Sequence, residues 1–323
     1  MGPRLGFLVY DSRSGSTLLA KILTQSFPSV FVTPEIGFDK LFALGNKWLA
    51  LATPERIEEI LYHKHHYLRN LPVNRSQIGG LIRGQSQGKW TTKQLVSTVL
   101  EQAFVDGAGK FTDWIIVKNG SHIKYWREIA EAFRSDIAFI TIVRDPRAVV
   151  YSKLNTLRPY VTGENMAWGG PMLAALRWRL YVNKWSALQA AHFPKLCVRY
   201  EDLLLRHDAV VSTLATFLGC RSRKRTSAHA DYAVPGREKG IHKLVQLDNM
   251  QVTRIDAWKS GLTRQEVMII ETVANKPMRR FGYAPVSDAP LAAKYWAMLT
   301  SLPRITRGLG KQGIRRIWQR YSK

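Results

Sequence analysis

Short apolar runs that alternate with polar turns and helix-like stretches limit this chain to few folds. The first run extends from Leu5 to Tyr10 and is followed by the polar loop Asp11 to Thr17. In residues 18–23, leucines and an isoleucine then recur at helical spacing. This unit predicts a buried strand, a tight loop and a helix.

The same unit recurs further along the chain. Apolar runs at Trp114–Lys118 and Ile137–Val143 are each followed by a helix-like stretch, and Lys195–Tyr200 is predicted to be a fourth buried strand. Strands that alternate with helices favour a parallel sheet with helices on both faces. We therefore expect an α/β fold, a three-layer sandwich with a central parallel sheet, whose ligands bind beyond the carboxyl ends of the strands.

The composition excludes a disordered basic chain. Of 323 residues, 48 are Lys or Arg and 24 are Asp or Glu, so the formal net charge is +24, yet 46% are hydrophobic. That hydrophobic content suffices for a sizeable core. The two cysteines exclude a disulfide framework and indicate a reducing compartment. Because no secretion signal or membrane-spanning stretch is visible, we expect a cytoplasmic location.

The chain is predicted to comprise one domain and a basic extension. Residues 1–285 form the domain, with a helical insertion at 37–110, and residues 286–323 form the extension. Residues 301–323 contain seven Lys and Arg and no acidic residue, with apolar side chains at helical spacing. Such a basic amphipathic helix can lie on an anionic membrane surface, dock on its own domain or bind a polyanion. Nucleic acid is not an expected partner, because no recognition motif is present.

The first polar loop has the composition of an anion-binding site. Arg13 supplies a cationic fork, Gly15 lets the backbone approach a ligand, and the hydroxyl groups of Ser14, Ser16 and Thr17 add donors beside a helix N-terminus. The GxxxxGK[ST] spacing of ordinary nucleotide hydrolases is absent. A phosphate in a P-loop-like site is the expected ligand; a serine-rich helix cap is the alternative.

A second phosphate-binding element is predicted after the Ile137–Val143 run. Asp145 and Pro146 are typical of a helix start, so Arg144 lies at the strand end. Ser152 lies two turns into that helix, and its hydroxyl and the Arg144 guanidinium could hold one phosphate from two sides. The alternative is a well-capped helix beside a solvated arginine.

Together these motifs resemble the PAPS-dependent sulfotransferases, whose donor is 3′-phosphoadenosine 5′-phosphosulfate (PAPS). Arg13–Thr17 is similar to that family's loop for the 5′-phosphosulfate, and Arg144–Ser152 to its element for the 3′-phosphate. The similarity includes Trp258–Leu262 and covers most of residues 4–285. The donor contacts that it implies are Arg13, Ser14, Gly15, Ser16, Thr17, Arg144, Ser152, Tyr200 for the adenosine and, from a late basic loop, Lys239.

The resemblance also implies catalytic residues. The tyrosylprotein, Golgi-type branch uses a Glu base shortly after the first helix and a Lys at a strand end, and the matching residues here are Glu35 and Lys118. Glu35 would be the general base, Lys118 would stabilise the leaving group, and Arg13 would contact both the phosphate and the sulfonate. The alternatives are a helix-start carboxylate for Glu35, a solvated Lys118, and His122 as the base. No metal is expected, since this transfer needs none.

The sequence therefore predicts an enzyme that moves a sulfo group from PAPS to a hydroxyl acceptor, expected to be a carbohydrate, glycolipid or lipid. A membrane- or polyanion-binding protein on a degenerate sulfotransferase scaffold is the alternative from another class. A nucleotide kinase is disfavoured by the missing Walker lysine. The acceptor and the oligomeric state are not identified by the sequence.

Overall fold

A computed structural model describes most of the chain. The residues that it describes are 2–62, 74–84, 90–107, 112–134, 137–157, 163–223, 252–290, 292–294 and 296–300. The late basic loop with Lys239 and the predicted helix at 301–323 therefore lie outside the described residues.

The described residues contain a five-stranded parallel sheet with the strand order β2-β3-β1-β4-β5. The strands are β1 (Arg4–Tyr10), β2 (Val30–Val32), β3 (Trp114–Lys118), β4 (Ile137–Val143) and β5 (Lys195–Arg199). The three central strands are the apolar runs of the sequence and are almost entirely buried. The parallel sheet is thereby confirmed.

Two strands differ from the prediction. β2 was not predicted, because three residues give too short a pattern for a periodicity to be recognised. β5 was predicted as a buried strand ending at Tyr200, but it is a half-buried edge strand, and Tyr200 is the first residue of the following helix. An edge strand has a neighbour on one side only, and this explains its partial exposure.

Helices cover both faces of the sheet. The α-helices of the described residues are α1 (Ser16–Ser26), α2 (Asp39–Leu49), α3 (Pro54–Leu61), α4 (Arg75–Gly84), α5 (Thr92–Gly107), α6 (Trp126–Phe133), α7 (Pro146–Leu154), α8 (Gly170–Gln189), α9 (Tyr200–Leu205), α10 (His207–Leu218), α11 (Ala257–Gly261) and α12 (Arg264–Arg280). Short 3₁₀ helices occupy Gly120–Tyr125 and Val252–Arg254. None of the helices in these ranges is long and apolar enough to span a bilayer.

The side chains of β1 alternate between the two halves of the core. Phe7 and Val9 join the cluster beneath the helical insertion, α6 and α8, whereas Leu8 and Tyr10 join the cluster beneath α1, α9 and α10. This alternation follows from the two-residue period of a strand. A three-layer sandwich results, as predicted, and α2 to α5 of the insertion pack on one of its faces.

The helix start predicted at Asp145 and Pro146 is confirmed. The Asp145 side chain accepts a hydrogen bond from the Arg147 N–H, and Pro146 is the first residue of α7. At α12, Thr263 and Glu266 form a capping box. The start of α7 matters most for the site, because it places Arg144 at the carboxyl edge of the sheet.

The segment after α12 is attached to the domain. The backbone N–H groups of Val286 and Ser287 donate to the Glu271 carboxylate on α12. Further along, the Gln265 side chain donates to the Thr300 hydroxyl. The first part of the predicted extension thus contacts the last helix of the domain.

Candidate functional site

The loop between β1 and α1 lies at the carboxyl edge of the sheet. Arg13 and Gly15 both have left-handed backbone conformations, with φ of 72° and 97°. Their geometry turns the chain sharply, and the N–H of Ser14 donates to the Asp11 carbonyl at 3.2 Å. Among the residues that the structure describes, no side chain caps α1, which leaves its N-terminal N–H groups for another acceptor. The buried Ser14 Oγ has no hydrogen-bond partner among the described residues. Uncapped N–H groups and an unpaired hydroxyl together form a cradle for an anion.

Glycine at position 15 is required by a close contact. A Cβ there would lie 2.4 Å from Cδ2 of Tyr200, and no larger residue fits unless that ring moves. Tyr200 follows β5 at the same edge of the sheet. The predicted phosphate-binding loop Asp11–Thr17, called the phosphate loop below, therefore packs directly against Tyr200.

Arg144 connects the loop with the elements on its other side. Its guanidinium lies 4.3 Å above the Tyr200 ring centroid and donates to the carbonyl groups of Arg13, at 3.2 Å, and Arg254, at 2.7 Å. Burial lowers the pKa of Arg144. Its buried Nε has no partner among the residues of the described ranges. A cation held this way favours an anionic ligand.

Arg13 completes a cluster of positive charge. Its Nε donates to the Ser152 Oγ at 2.9 Å, so the two predicted phosphate elements meet in the structure. Burial, followed by the nearby charges of Arg144 and Arg254, lowers the pKa of Arg13 to about 10. Guanidinium groups crowd here at an energetic cost that a bound anion would offset.

Glu35 and Lys118 meet at the neighbouring strand ends. Lys118 is the last residue of β3, and its Nζ lies 3.6 Å from Oε2 of Glu35. The lysine side chain is 2% exposed and the glutamate side chain 33% exposed. The Lys118 Nζ also lies 5.2 Å from the ring centroid of Tyr10, the residue before the phosphate loop. The pair therefore adjoins the loop.

The position of Glu35 follows from β2. This strand pairs with β3. Beyond β2, the Ile36 N–H donates to the Lys118 carbonyl, and the Asn119 side-chain amide donates to the Ile36 carbonyl. These two hydrogen bonds hold the segment that contains Glu35 at the end of β3. Glu35 is not a helix-start carboxylate, because α2 begins at Asp39. It lies just after β2, not directly after the first helix.

His122 lies in the core and not at the site. Its ring is fully buried and contacts the rings of Phe7, Phe38 and Phe42, and its Nε2 accepts the Phe38 N–H at 3.1 Å. Burial lowers its pKa to about 3, so the imidazole is neutral. A base must reach the acceptor, and this ring does not; the alternative of His122 as the base is wrong.

A buried ion pair joins the phosphate loop to α7. The Lys153 Nζ donates to Oδ2 of Asp11 at 2.6 Å, and both side chains are largely buried. Sequence reasoning missed this pair, since nothing in a lysine on a helix and an aspartate in a polar loop indicates that they meet.

Comparison with known proteins identifies the family. A profile described as the sulfotransferase family matches residues 7–223. The chain belongs to the sulfotransferase family. No protein of curated function matches it.

Solved structures support the fold of this sulfotransferase. The sulfotransferase domain from the olefin synthase of Synechococcus PCC 7002 is 19% identical, with a TM-score of 0.57 over 90% of this chain and 96% of that domain. The sulfotransferase domain from the curacin biosynthetic pathway is 16% identical, with a TM-score of 0.55 over 88% of this chain and 99% of that domain. Similarity at this level concerns architecture.

The structure brings most of the predicted site residues of this sulfotransferase together. The residues predicted to contact the donor that share one cluster are Arg13, Ser14, Gly15, Ser16, Thr17, Arg144, Ser152 and Tyr200. Glu35 and Lys118 form the adjoining pair. Lys239 lies outside the described residues.

Sequence reasoning missed Arg254, which lies in the 3₁₀ helix before α11. The one sequence feature that could have indicated its role is weak: it lies four residues before the Trp258–Leu262 motif. In the described ranges, no group of His, Cys, Asp and Glu side chains is arranged to hold a metal ion.

Proposed function

We propose that this sulfotransferase moves a sulfo group from PAPS to the hydroxyl of a carbohydrate, glycolipid or lipid. The observation that carries the proposal is the cluster of Arg13, Arg144 and Arg254 at an uncapped helix N-terminus. A donor with a phosphosulfate at one end and a phosphate at the other supplies anions that these cations can bind.

The residues of the cluster fit the two ends of such a donor. The N-terminal N–H groups of α1 and the orphaned Ser14 hydroxyl would bind the 5′-phosphosulfate. Arg144, whose Nε is unpaired among the described residues, would bind the 3′-phosphate together with Ser152. The Tyr200 ring lies beside both and would contact the adenosine, with Lys239 as a further phosphate ligand.

The Glu35–Lys118 pair supplies the catalytic groups. Glu35 would remove the proton from the acceptor hydroxyl, and its one-third exposure lets a hydroxyl approach. The acceptor oxygen then forms a bond to sulfur while the bond between sulfur and the bridging oxygen breaks, leaving adenosine 3′,5′-bisphosphate. Lys118 and Arg13 would stabilise the negative charge that develops on the leaving group and on the sulfonate. No metal takes part in these steps. These roles are those of the tyrosylprotein branch.

Donor binding is tested first. We expect calorimetry to show that the wild-type protein binds adenosine 3′,5′-bisphosphate and that Arg144→Ala weakens this binding at least about tenfold, since a charge-assisted hydrogen bond is lost. Arg56→Ala, which removes one charge from an exposed ion pair on α3, is the matched control. If the wild-type protein does not bind adenosine 3′,5′-bisphosphate, the proposal that PAPS is the donor is wrong. If, in addition, Arg144→Ala binds heparin as tightly as the wild type, the polyanion-binding alternative is supported.

The transfer chemistry is tested with labelled PAPS and lipid or glycan extracts as acceptors. We expect Glu35→Gln to lower kcat by about 10²–10⁴-fold, the usual contribution of a general base. Glu128→Gln, on the exposed face of α6, should leave the rate unchanged. A Glu35→Gln enzyme with near wild-type kcat would exclude Glu35 as the base.

The C-terminal segment 301–323 is proposed to hold the enzyme on an anionic membrane at the cytoplasmic face. Its seven basic residues and apolar stripe support this, since both features favour anionic lipid. We expect full-length protein to sediment with vesicles containing phosphatidylserine and a variant ending at residue 300 to stay in solution. Equal sedimentation of the two would argue against the proposal.

A further inference from the structure

The Lys153–Asp11 pair lies directly beside the phosphate loop. Asp11 is the first residue after β1 and precedes Arg13 by two positions, while Lys153 follows Ser152 on α7. Two adjacent residues of α7 thus engage the loop: Ser152 accepts from Arg13 at 2.9 Å, and Lys153 donates to Asp11 at 2.6 Å.

Both partners of the ion pair are withdrawn from solvent. The Lys153 side chain is 2% exposed and that of Asp11 12%. At this depth an uncompensated carboxylate is costly and seeks the nearest cation. Arg177 and Arg13 both lie close enough to Lys153 for their charges to repel it. Of the two, Arg13 belongs to the same loop as Asp11, and its Nε donates to Ser152, the residue before Lys153.

A carboxylate paired with Arg13 would compete with the donor. The guanidinium of Arg13 would then be neutralised by Asp11 and turned away from Ser152. In the structure, Lys153 pairs with the Asp11 carboxylate instead, and the Arg13 guanidinium donates to the Ser152 hydroxyl. The ion pair therefore affects which anion Arg13 can bind.

We propose that Lys153 is a positioning residue that occupies Asp11 and so keeps Arg13 available for the phosphosulfate of the donor. This rests on the proposed function, because it takes the loop to be the donor site. The competing explanation is that the pair only ties α7 to the loop as a structural anchor.

A double-mutant comparison separates the two roles. Calorimetric titration with adenosine 3′,5′-bisphosphate would be performed on the full-length protein, with circular dichroism to check folding. We expect Lys153→Met to bind at least about tenfold more weakly than the wild type, because Asp11 then pairs with Arg13. The double variant Asp11→Asn, Lys153→Met should return to within about threefold of the wild type, because the competing carboxylate is gone. Arg56→Met, which removes one exposed charge, is the control and should bind normally.

Each outcome decides the question. A Lys153→Met protein with wild-type affinity, or a double variant as weak as Lys153→Met, would overturn the positioning role. If Lys153→Met does not fold, Asp11→Asn and the double variant decide: both within about threefold of the wild type support the proposal, and a loss above about tenfold in either one overturns it. If the wild-type protein does not bind the bisphosphate, the proposed donor site fails and the positioning role falls with it.

Discussion

His122 shows how burial decides the role of a single side chain. Its ring is surrounded by phenylalanines and accepts a backbone hydrogen bond, and its pKa is lowered to about 3. The unfolded chain, in which a histidine has a pKa near 6.5, binds more protons between these two values. The stability conferred by a neutral His122 is therefore complete above about pH 6.5 and is lost as the pH falls towards 3.

This predicts a measurable pH dependence. His122→Gln keeps an acceptor oxygen for the Phe38 N–H but cannot be protonated. Between pH 7.5 and pH 5.0 we expect the free energy of unfolding of the wild type to fall by about 2 kcal/mol more than that of His122→Gln, as one group of this kind requires. Urea unfolding at the two pH values measures the difference. Parallel losses in the two proteins would show that His122 is not buried as a neutral ring.

The close contact between Gly15 and the Tyr200 ring permits only glycine at position 15. Gly15→Ala adds a Cβ 2.4 Å from the Tyr200 ring at a φ of +97°. We expect a loss of about 1–3 kcal/mol of stability from the backbone strain and a clear loss of bisphosphate affinity, because Tyr200 must move. Gly219→Ala, at a φ of +63° with open space around it, controls for the strain alone. Equal affinity in the two variants would contradict the role of the Gly15–Tyr200 contact.

At the scale of the element, the start of α12 stabilises a helix that is bound to α7, and α7 carries part of the site. Thr263 and Glu266 form its capping box, and the helix carries Glu271, which binds Arg147 of α7. We expect Thr263→Ala to lower the free energy of unfolding by about 1 kcal/mol, because the first turn loses an acceptor. Thr213→Ala, whose hydroxyl donates to the Ala209 carbonyl one turn earlier in α10, should cost less. Thermal unfolding of both variants checks the difference, and equal losses would contradict the capping role.

At the scale of the whole molecule, Arg147 joins parts of the chain that are far apart in sequence. The buried guanidinium donates to Asp145, to Glu271 and to the Ala284 carbonyl, and it lies 4.1 Å from the Trp258 ring centroid. It therefore connects the start of α7 with α11, α12 and the segment that follows. Because Arg144 lies just before the start of α7, the network also supports the proposed donor site.

Arg147→Met should be strongly destabilising. It leaves the carboxylates of Asp145 and Glu271 buried without their cation, and a loss of about 3–5 kcal/mol is expected for a broken buried pair. Arg56→Met breaks an exposed pair and should cost less than about 1 kcal/mol. Denaturant unfolding measures both. A loss of less than about 1 kcal/mol in Arg147→Met would show that the network does not hold the helices together.

Much of the architecture could be predicted from local pattern. The apolar runs of β1, β3 and β4 and the helix starts at Asp145 and Thr263 depend on residues close together in sequence, so the pattern contains the necessary information. The motifs around Arg13 and Arg144 likewise predicted that two phosphate elements share one edge of the sheet. Parallel strands end at the same edge, and that rule brings the motifs together.

Contacts between segments that are distant in sequence were decided by the tertiary structure alone. The sequence determined the parallel α/β fold and the cationic loop, because strand periodicity and helix caps are local properties. It could not determine that Lys153 meets Asp11, that Arg254 joins the arginine cluster, or that His122 turns into the core. These contacts depend on how helices pack on the sheet, and packing is set by the shapes of many side chains at once.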